Sequence, residues 1–246
     1  MRPVHILTAI GGLVVALAMT SVAAAQDNGP FGGIQPYYWP HRKIGIPVNT
    51  DEINKLPNKP AHLQLYYAAN RGPFQKGPKL PLNGLDDISG KKGFEFEAPR
   101  DGDYEFSVQF IYKDNSVSPK DSEIGPQIRA IIDTAPPRVQ LAALGNGVEW
   151  VATDDNLDPQ GVTLECKWPT DAKWTPIRDK QFRASDSYAW KMPPGKVLEV
   201  RVIAKDRAGH EGVSPVVRVP GDPATAVGLP KGAGGQIGRA SCRERV

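Results

Sequence analysis

Apolar residues in this chain recur at every second position, in short runs separated by clusters of Gly, Pro, Asn and Asp. Ile44, Ile46 and Val48 alternate before Asn49, and Leu63, Leu65 and Tyr67 before the turn Asn70-Arg71-Gly72-Pro73. Phe94 and Phe96 follow, in a run ended by Pro99. The longest alternation sets Tyr104, Phe106, Val108, Phe110 and Tyr112 on one face. Glu105, Ser107, Gln109 and Lys113 occupy the other, with Ile111 as the exception. A period of two with one apolar face predicts half-buried antiparallel strands. From Lys43 onward no helical period competes with it. Ile128–Ile132 closes this first set.

A second set repeats the plan. Val139 and Leu141 open it, and Gly145-Asn146-Gly147 turns into Val148, Trp150 and Ala152. Val162, Leu164 and Cys166 then repeat Leu63, Leu65 and Tyr67 at a spacing of 99, and Trp174 follows Phe74 at 100. Leu198, Val200, Val202 and Ala204 repeat Phe106, Val108, Phe110 and Tyr112 at a spacing of 92. Shifts of a few residues belong in loops, so the pattern predicts a tandem duplication. Between the halves lies Ile131-Ile132-Asp133-Thr134-Ala135-Pro136-Pro137-Arg138. Its Pro-Pro pair fixes φ twice and removes two backbone donors, so no sheet ladder passes through it. An all-β chain of two tandem antiparallel β-sandwiches is expected, one over 43–134 and one over 135–220.

The ends read differently. Arg2, the apolar stretch Ile6–Ala18 and the small residues Ala23-Ala24-Ala25 form a signal-peptide pattern over 1–25. It implies a secreted, periplasmic or cell-surface setting. Residues 26–42 are an irregular lead-in rich in Gly and Pro around Tyr37-Tyr38-Trp39, and 221–236 a Gly-, Pro- and Ala-rich linker. The last ten residues, Ile237 to Val246, resemble the in-frame translation of a sequencing adapter. They are read as an artefact, which implies that the natural protein continues.

Setting both ends aside changes the charge argument. The whole chain has 30 Lys and Arg against 27 Asp and Glu. Without Arg2, Arg239, Arg243, Arg245 and Glu244, 26 of each sign remain. A balanced chain gives no warrant for nucleic-acid or anionic-membrane partners. No membrane span is expected after signal removal. Cys166 becomes the one remaining cysteine, so no intrachain disulfide is expected, and its phase with Val162 and Leu164 makes it a core thiol.

Catalytic patterns are scarce. There is no Gly-x-Ser-x-Gly, no phosphate-binding glycine loop and no His-Glu-x-x-His. His41, His62 and His210 lie far apart in sequence. The reading is therefore not an enzyme, with no catalytic or cofactor-binding residues to name. Trp150, Trp174 and Trp190 are expected in the core. Trp168, out of phase beside Pro169, is the candidate exposed ring for a ligand.

Several motifs carry a resemblance: the Ile-Asp-Thr-Ala-Pro-Pro joint, the turn Ala152-Thr153-Asp154-Asp155-Asn156-Leu157, and Asp206-Arg207-Ala208-Gly209-His210. Gly102-Asp103-Tyr104, opening the long strand, looks like a tyrosine corner. On these residues the chain resembles bacterial immunoglobulin-like (fibronectin-III-like) tandem modules of large secreted proteins. The resemblance implies two immunoglobulin-like sandwiches and no particular activity, since this fold hosts many functions.

In such a sandwich the turn at 154–158 and the last hairpin lie at the end where the chain enters. Asp154, Asp155, Asp158 and Asp206 are thus expected beside Asp133, with Asp101 and Asp103 approaching from the first domain. A hard cation takes about six to eight oxygens, so these carboxylates are a candidate interdomain Ca²⁺ site. Asp and Asn also suit turns in their own right, with Arg138 and Arg207 as neutralising cations. Three functions stay open. One is a non-enzymatic spacer, adhesion or binding region of a larger bacterial surface or periplasmic protein. The others are the accessory N-terminal region of a secreted hydrolase, or carbohydrate-binding modules. The partner is a protein or polysaccharide that the sequence does not name.

Overall fold

The computed structural model describes residues 34–192 and 195–221. The signal-like segment, the linker after Gly221 and the adapter-like tail lie outside the described residues. The chain divides into two compact units between Ile132 and Asp133.

In the first unit the strands are β1 (Tyr37–Trp39), β2 (Lys43–Pro47), β3 (His62–Ala69), β4 (Gln75–Pro81), β5 (Asp86–Ile88), β6 (Lys91–Glu97), β7 (Gly102–Ile111), β8 (Val117–Ser118) and β9 (Ile128–Ile132). One sheet runs β1-β9-β7-β3-β4, with β8 beside β7, and the other β2-β6-β5. Ile44, Ile46, Phe94 and Phe96 of the smaller sheet belong to one core with Leu63, Leu65, Tyr104 and Phe106 of the larger. Phe96 is its hub, with ring centroids 4.8 Å from Tyr67, 5.1 Å from Phe106 and 5.9 Å from Tyr104. One short helix, α1 (Thr50–Lys55), departs from the all-strand expectation. Six residues are too few to display a period. They form a helix because Asn49 caps Glu52 N–H, two acids fill the first turn, and Ile53 is buried.

The long strand β7 also departs from the half-buried expectation. Its apolar face is buried, but so are Ser107 and Gln109 on the other. The connection from β7 to β9 covers that face. Gln109 Nε2 donates to Pro119 O and Asp121 Oδ1, both at 2.8 Å, and Val108 N–H donates to Gln127 Oε1 at 3.0 Å. The Tyr66 hydroxyl donates to Gln109 Oε1 at 3.3 Å. Gln109 is tolerated there because its amide finds partners, whereas Ser107 Oγ has none among the described residues.

The second unit comprises β10 (Arg138–Leu144), β11 (Gly147–Thr153), β12 (Leu157–Lys167), β13 (Thr175–Pro176), β14 (Ser185–Ala189), β15 (Val197–Asp206), β16 (Glu211–Val213) and β17 (Val217–Pro220). Its sheets are β10-β11-β14 and β13-β12-β15-β16, with β17 also on β15. Leu164, Val200, Val202 and Ala204 are fully buried between them. Trp150, Phe182, Tyr188 and Trp190 form an edge-to-face chain with centroids 5.6, 5.9 and 4.9 Å apart. Cys166 is fully buried in this core, in phase with Val162 and Leu164.

The repeat spacing needs one correction. Leu63 pairs with Phe110 across β3 and β7, whereas Val162 pairs with Ala204 across β12 and β15. With Leu63 equated to Val162, the long strands correspond at a spacing of 94, not 92. A slip of two residues leaves every side chain on the same face, so alternation alone cannot detect it.

Tyr104 is fully buried, and its hydroxyl donates to Arg100 O at 2.8 Å, closing a tyrosine corner. Gly102 has φ +150°, and a Cβ there would lie 2.9 Å from Asn70 Oδ1, the atom that accepts Asp103 N–H. Tyr104→Phe removes one hydrogen bond and leaves the packing intact. It is expected to cost about 1 kcal/mol in urea unfolding with an unchanged m-value. A variant as stable as the parent would show that the corner contributes nothing beyond burial.

Candidate functional site

Three turns of the second unit bring carboxylates together. Between β11 and β12, Asp154 Oδ1 accepts Asn156 N–H at 2.7 Å, the self-bonded turn that Asp-x-Asn favours. Asn156 is the hub. Its Nδ2 donates to Asp133 Oδ2 at 2.8 Å, and its carbonyl accepts Arg207 N–H at 2.9 Å. Asp133 also accepts Ala135 N–H at 3.2 Å, so the chain entering the unit is tied to the turn. Asp206 ends β15, and its Oδ1 accepts Gly209 and His210 N–H at 2.6 and 2.8 Å. Its Oδ2 lies 3.1 Å from His210 Nδ1. Oxygens of Asp133, Asp154 and Asp206 consequently lie within 4.8 Å of one another.

Charge makes this arrangement costly. Two carboxylates at that separation repel by roughly 3.5 kcal/mol at an effective dielectric of about 20. Each hydrogen bond to a charged group returns about 1.5–3 kcal/mol, so Asp133 and Asp206, with two N–H donors each, are better compensated than Asp154, which has one. Burial pushes the Asp154 carboxyl above the ordinary carboxylate range. The charges of Asp133, Asp206 and Asp155 push the same way, and the Asn156 N–H opposes them. A proton or a hard cation would relieve the cluster, and three converging carboxylates are the donor type Ca²⁺ takes.

The other acids are engaged elsewhere. Asp155 is exposed, and Asp158 Oδ1 accepts Gln160 N–H at 2.9 Å. Asp101 and Asp103 belong to the first unit. Asp101 lies 3.3 Å from Arg42 Nε, and Asp103 is gripped by both arms of Arg129 at 2.8 and 2.7 Å. Of the seven carboxylates expected to converge, Asp133, Asp154 and Asp206 do so within the second unit. Asn156 and His210, read from the sequence as parts of turn motifs, join the site, and the spacings Asp154-x-Asn156 and Asp206-x-x-x-His210 could have pointed to that role.

Two tryptophans sit elsewhere than expected. Trp168 is half-buried against the second core, with its Nε1 shielded from solvent, and is not the exposed ring expected beside Pro169. Trp174 is outside the core. The Arg201 guanidinium lies 4.5 Å from its ring centroid and Lys167 Nζ 5.4 Å. Arg201 also contacts Glu165 at 2.7 Å, Lys167 contacts Glu199 at 3.4 Å, and Arg218 contacts Glu199 at 3.1 Å. All three ion pairs are between residues directly opposite across the ladder. No described helix is long and apolar enough to cross a membrane.

No family model and no curated protein matches the chain. Similar solved structures include the fibronectin(III)-like modules of Clostridium thermocellum CbhA, at 16% identity and TM-score 0.36, covering 76% of this chain and 88% of that one. Domains from titin share 15% identity at TM-score 0.39, over 78% of this chain and 62% of theirs. The chicken CNTN1 FN1–FN3 domains share 12% at TM-score 0.35, over 76% and 65%. The strand orders within each unit define the class: tandem immunoglobulin- and fibronectin-III-like β-sandwich modules.

Asp154→Asn keeps an acceptor for Asn156 N–H while removing one of the crowded charges. At pH 7 without divalent cations it is expected to raise the melting temperature by about 2–4 °C. The folded-state carboxyl titrates above its unfolded value, so its ionisation costs stability as pH rises through that range. The gain from Asn should therefore shrink as pH falls toward about 3.5, below the ordinary carboxylate value. Scanning fluorimetry across this range checks it, and a variant no more stable at pH 7 would mean that the charge is already compensated.

Proposed function

We propose that this chain is a non-enzymatic, secreted pair of modules serving as a spacer or binding region of a larger bacterial surface or periplasmic protein. The observation that carries the reading is that each unit closes its own core from its own two sheets. Only Asp133 to Pro137 separates the last strand of the first unit from the first strand of the second. A chain of self-contained units linked by short proline-bearing segments suits extension. The signal-like residues 1–25 support the extracytoplasmic setting.

Pulling the chain from its two ends tests the reading. Two separate unfolding steps are expected, each releasing roughly 300 Å of contour at about 3.6 Å per residue. A single step of twice that length would contradict independent spacer modules. The gene downstream separates this role from that of a hydrolase accessory region. Further sandwich repeats support the spacer, and an α/β or barrel domain supports the hydrolase.

The convergence of Asp133, Asp154 and Asp206 favours a second element, a stiffening Ca²⁺ site within the second module. Binding only to the folded state raises stability by about 2.7 kcal/mol at a hundredfold excess over Kd. Melting in millimolar Ca²⁺ should therefore exceed melting in chelator, and the difference should vanish in Asp154→Asn. Identical melting in both conditions removes the ion and leaves the turn network.

A further inference from the structure

The second unit contains an open cleft of about 480 Å³ beside β12. It exists because β13 pairs with β12 only briefly. Ile177 N–H donates to Leu164 O at 2.8 Å, and the chain then leaves the strand. By residue 184 it has reached the other sheet, where Ala184 O accepts Ala152 N–H at 2.7 Å. Val162, Ile177 and Phe182, all buried core residues, underlie the cleft, and its accessible lining is mostly polar.

The polar groups of that lining differ in how far they are already used. Lys180 is taken: its Nζ contacts both oxygens of Asp186, at 3.0 and 2.9 Å, and lies over the Phe182 ring. Asp186 is thereby neutralised, and Asp179 accepts the Tyr188 hydroxyl from within the unit. Burial and that carboxylate together push the Tyr188 phenol far above its ordinary range, so it remains a donor. Arg178 is different. It lines the cleft, is exposed, and has no hydrogen bond or ion pair to any described residue. Gln160, Thr163 and Gln181 line the same space, and their side chains have no hydrogen bond to a described residue.

We propose that this cleft binds an acidic sugar, with Arg178 taking the carboxylate. A guanidinium presents paired donors that match a carboxylate fork. Two amides and a hydroxyl, each able to donate and accept, suit the hydroxyls of a pyranose ring. The volume lies in the range of small-ligand pockets, and a mostly polar lining suits a hydroxylated ligand. An acidic peptide shares the carboxylate but has no need of three neutral two-way groups. The proposal is independent of the spacer reading, because mechanical unfolding can give either result without touching the cleft.

Titrating the ¹⁵N-labelled chain with sodium glucuronate, glucose and sodium acetate tests it. Glucuronate is expected to shift the amides of Gln160, Thr163 and Ile177 to Phe182, saturably and at least tenfold more tightly than glucose or acetate. Arg178→Ala should abolish those shifts, and its exposure lets the melting temperature serve as the check on folding. Thr163→Val should weaken binding a few-fold while leaving the preference for glucuronate over glucose. Absence of saturable shifts at these amides overturns the proposal. So does equal affinity for acetate, or glucuronate binding that survives in a folded Arg178→Ala variant.

Discussion

Each unit depends on one central pair of antiparallel strands whose apolar faces must be covered. In the first it is β3 and β7, in the second β12 and β15. Leu63, Leu65, Tyr104 and Phe106 on one pair, and Leu164, Val200, Val202 and Ala204 on the other, are fully buried or nearly so. Burying one such side chain is worth about 1.5–3 kcal/mol, far more than any exposed ion pair on the surface. The second sheet of each unit is what that burial demands. The loops that join the sheets inherit their positions from it, and the candidate sites are made of those loops.

This dependence explains where polar chemistry collects. Asp154 lies just beyond the end of β11, Asp206 ends β15, and Asp133 lies where the chain enters the unit. None of the three approaches the others for its own sake, since mutual repulsion opposes the contact. The sandwich forces them together, and Asn156 and the turn N–H groups make the result tolerable. The cleft beside β12 has the same origin. The chain must cross from one sheet to the other between Ile177 and Ala184, and the crossing leaves part of β12 unaccompanied. Function on such a scaffold is a matter of what its crossings and turns expose.

Much of this was legible in the residues. Alternation located β2, β3, β7, β12 and β15, and Gly102-Asp103-Tyr104 announced the tyrosine corner. The same alternation misjudged what lies on the second face of β7, because a period of two reports one apolar face and not what covers the other. It also misplaced the repeat by two residues, the one error that a period of two conceals. Trp168 and Trp174 changed roles for a related reason. Both flank the irregular stretch between β12 and β13, where no period applies. Phase to the strand therefore said nothing about which ring would turn inward.

Local order thus came from the sequence itself: which segments are strands, where they break, and that the plan occurs twice. These follow from side-chain polarity at neighbouring positions, which the chain carries with it. Tertiary structure alone decided which acids meet and which are neutralised. Asp103 finds Arg129, and Asp186 finds Lys180, whereas Asp133, Asp154 and Asp206 find one another. Apart from Lys180 and Asp186, which are close in sequence, these groupings join residues far apart in the chain, so they depend on the register of strands and the path of crossings. The long central strands are where both kinds of information meet. Their pattern was written in the sequence, and their register had to be seen.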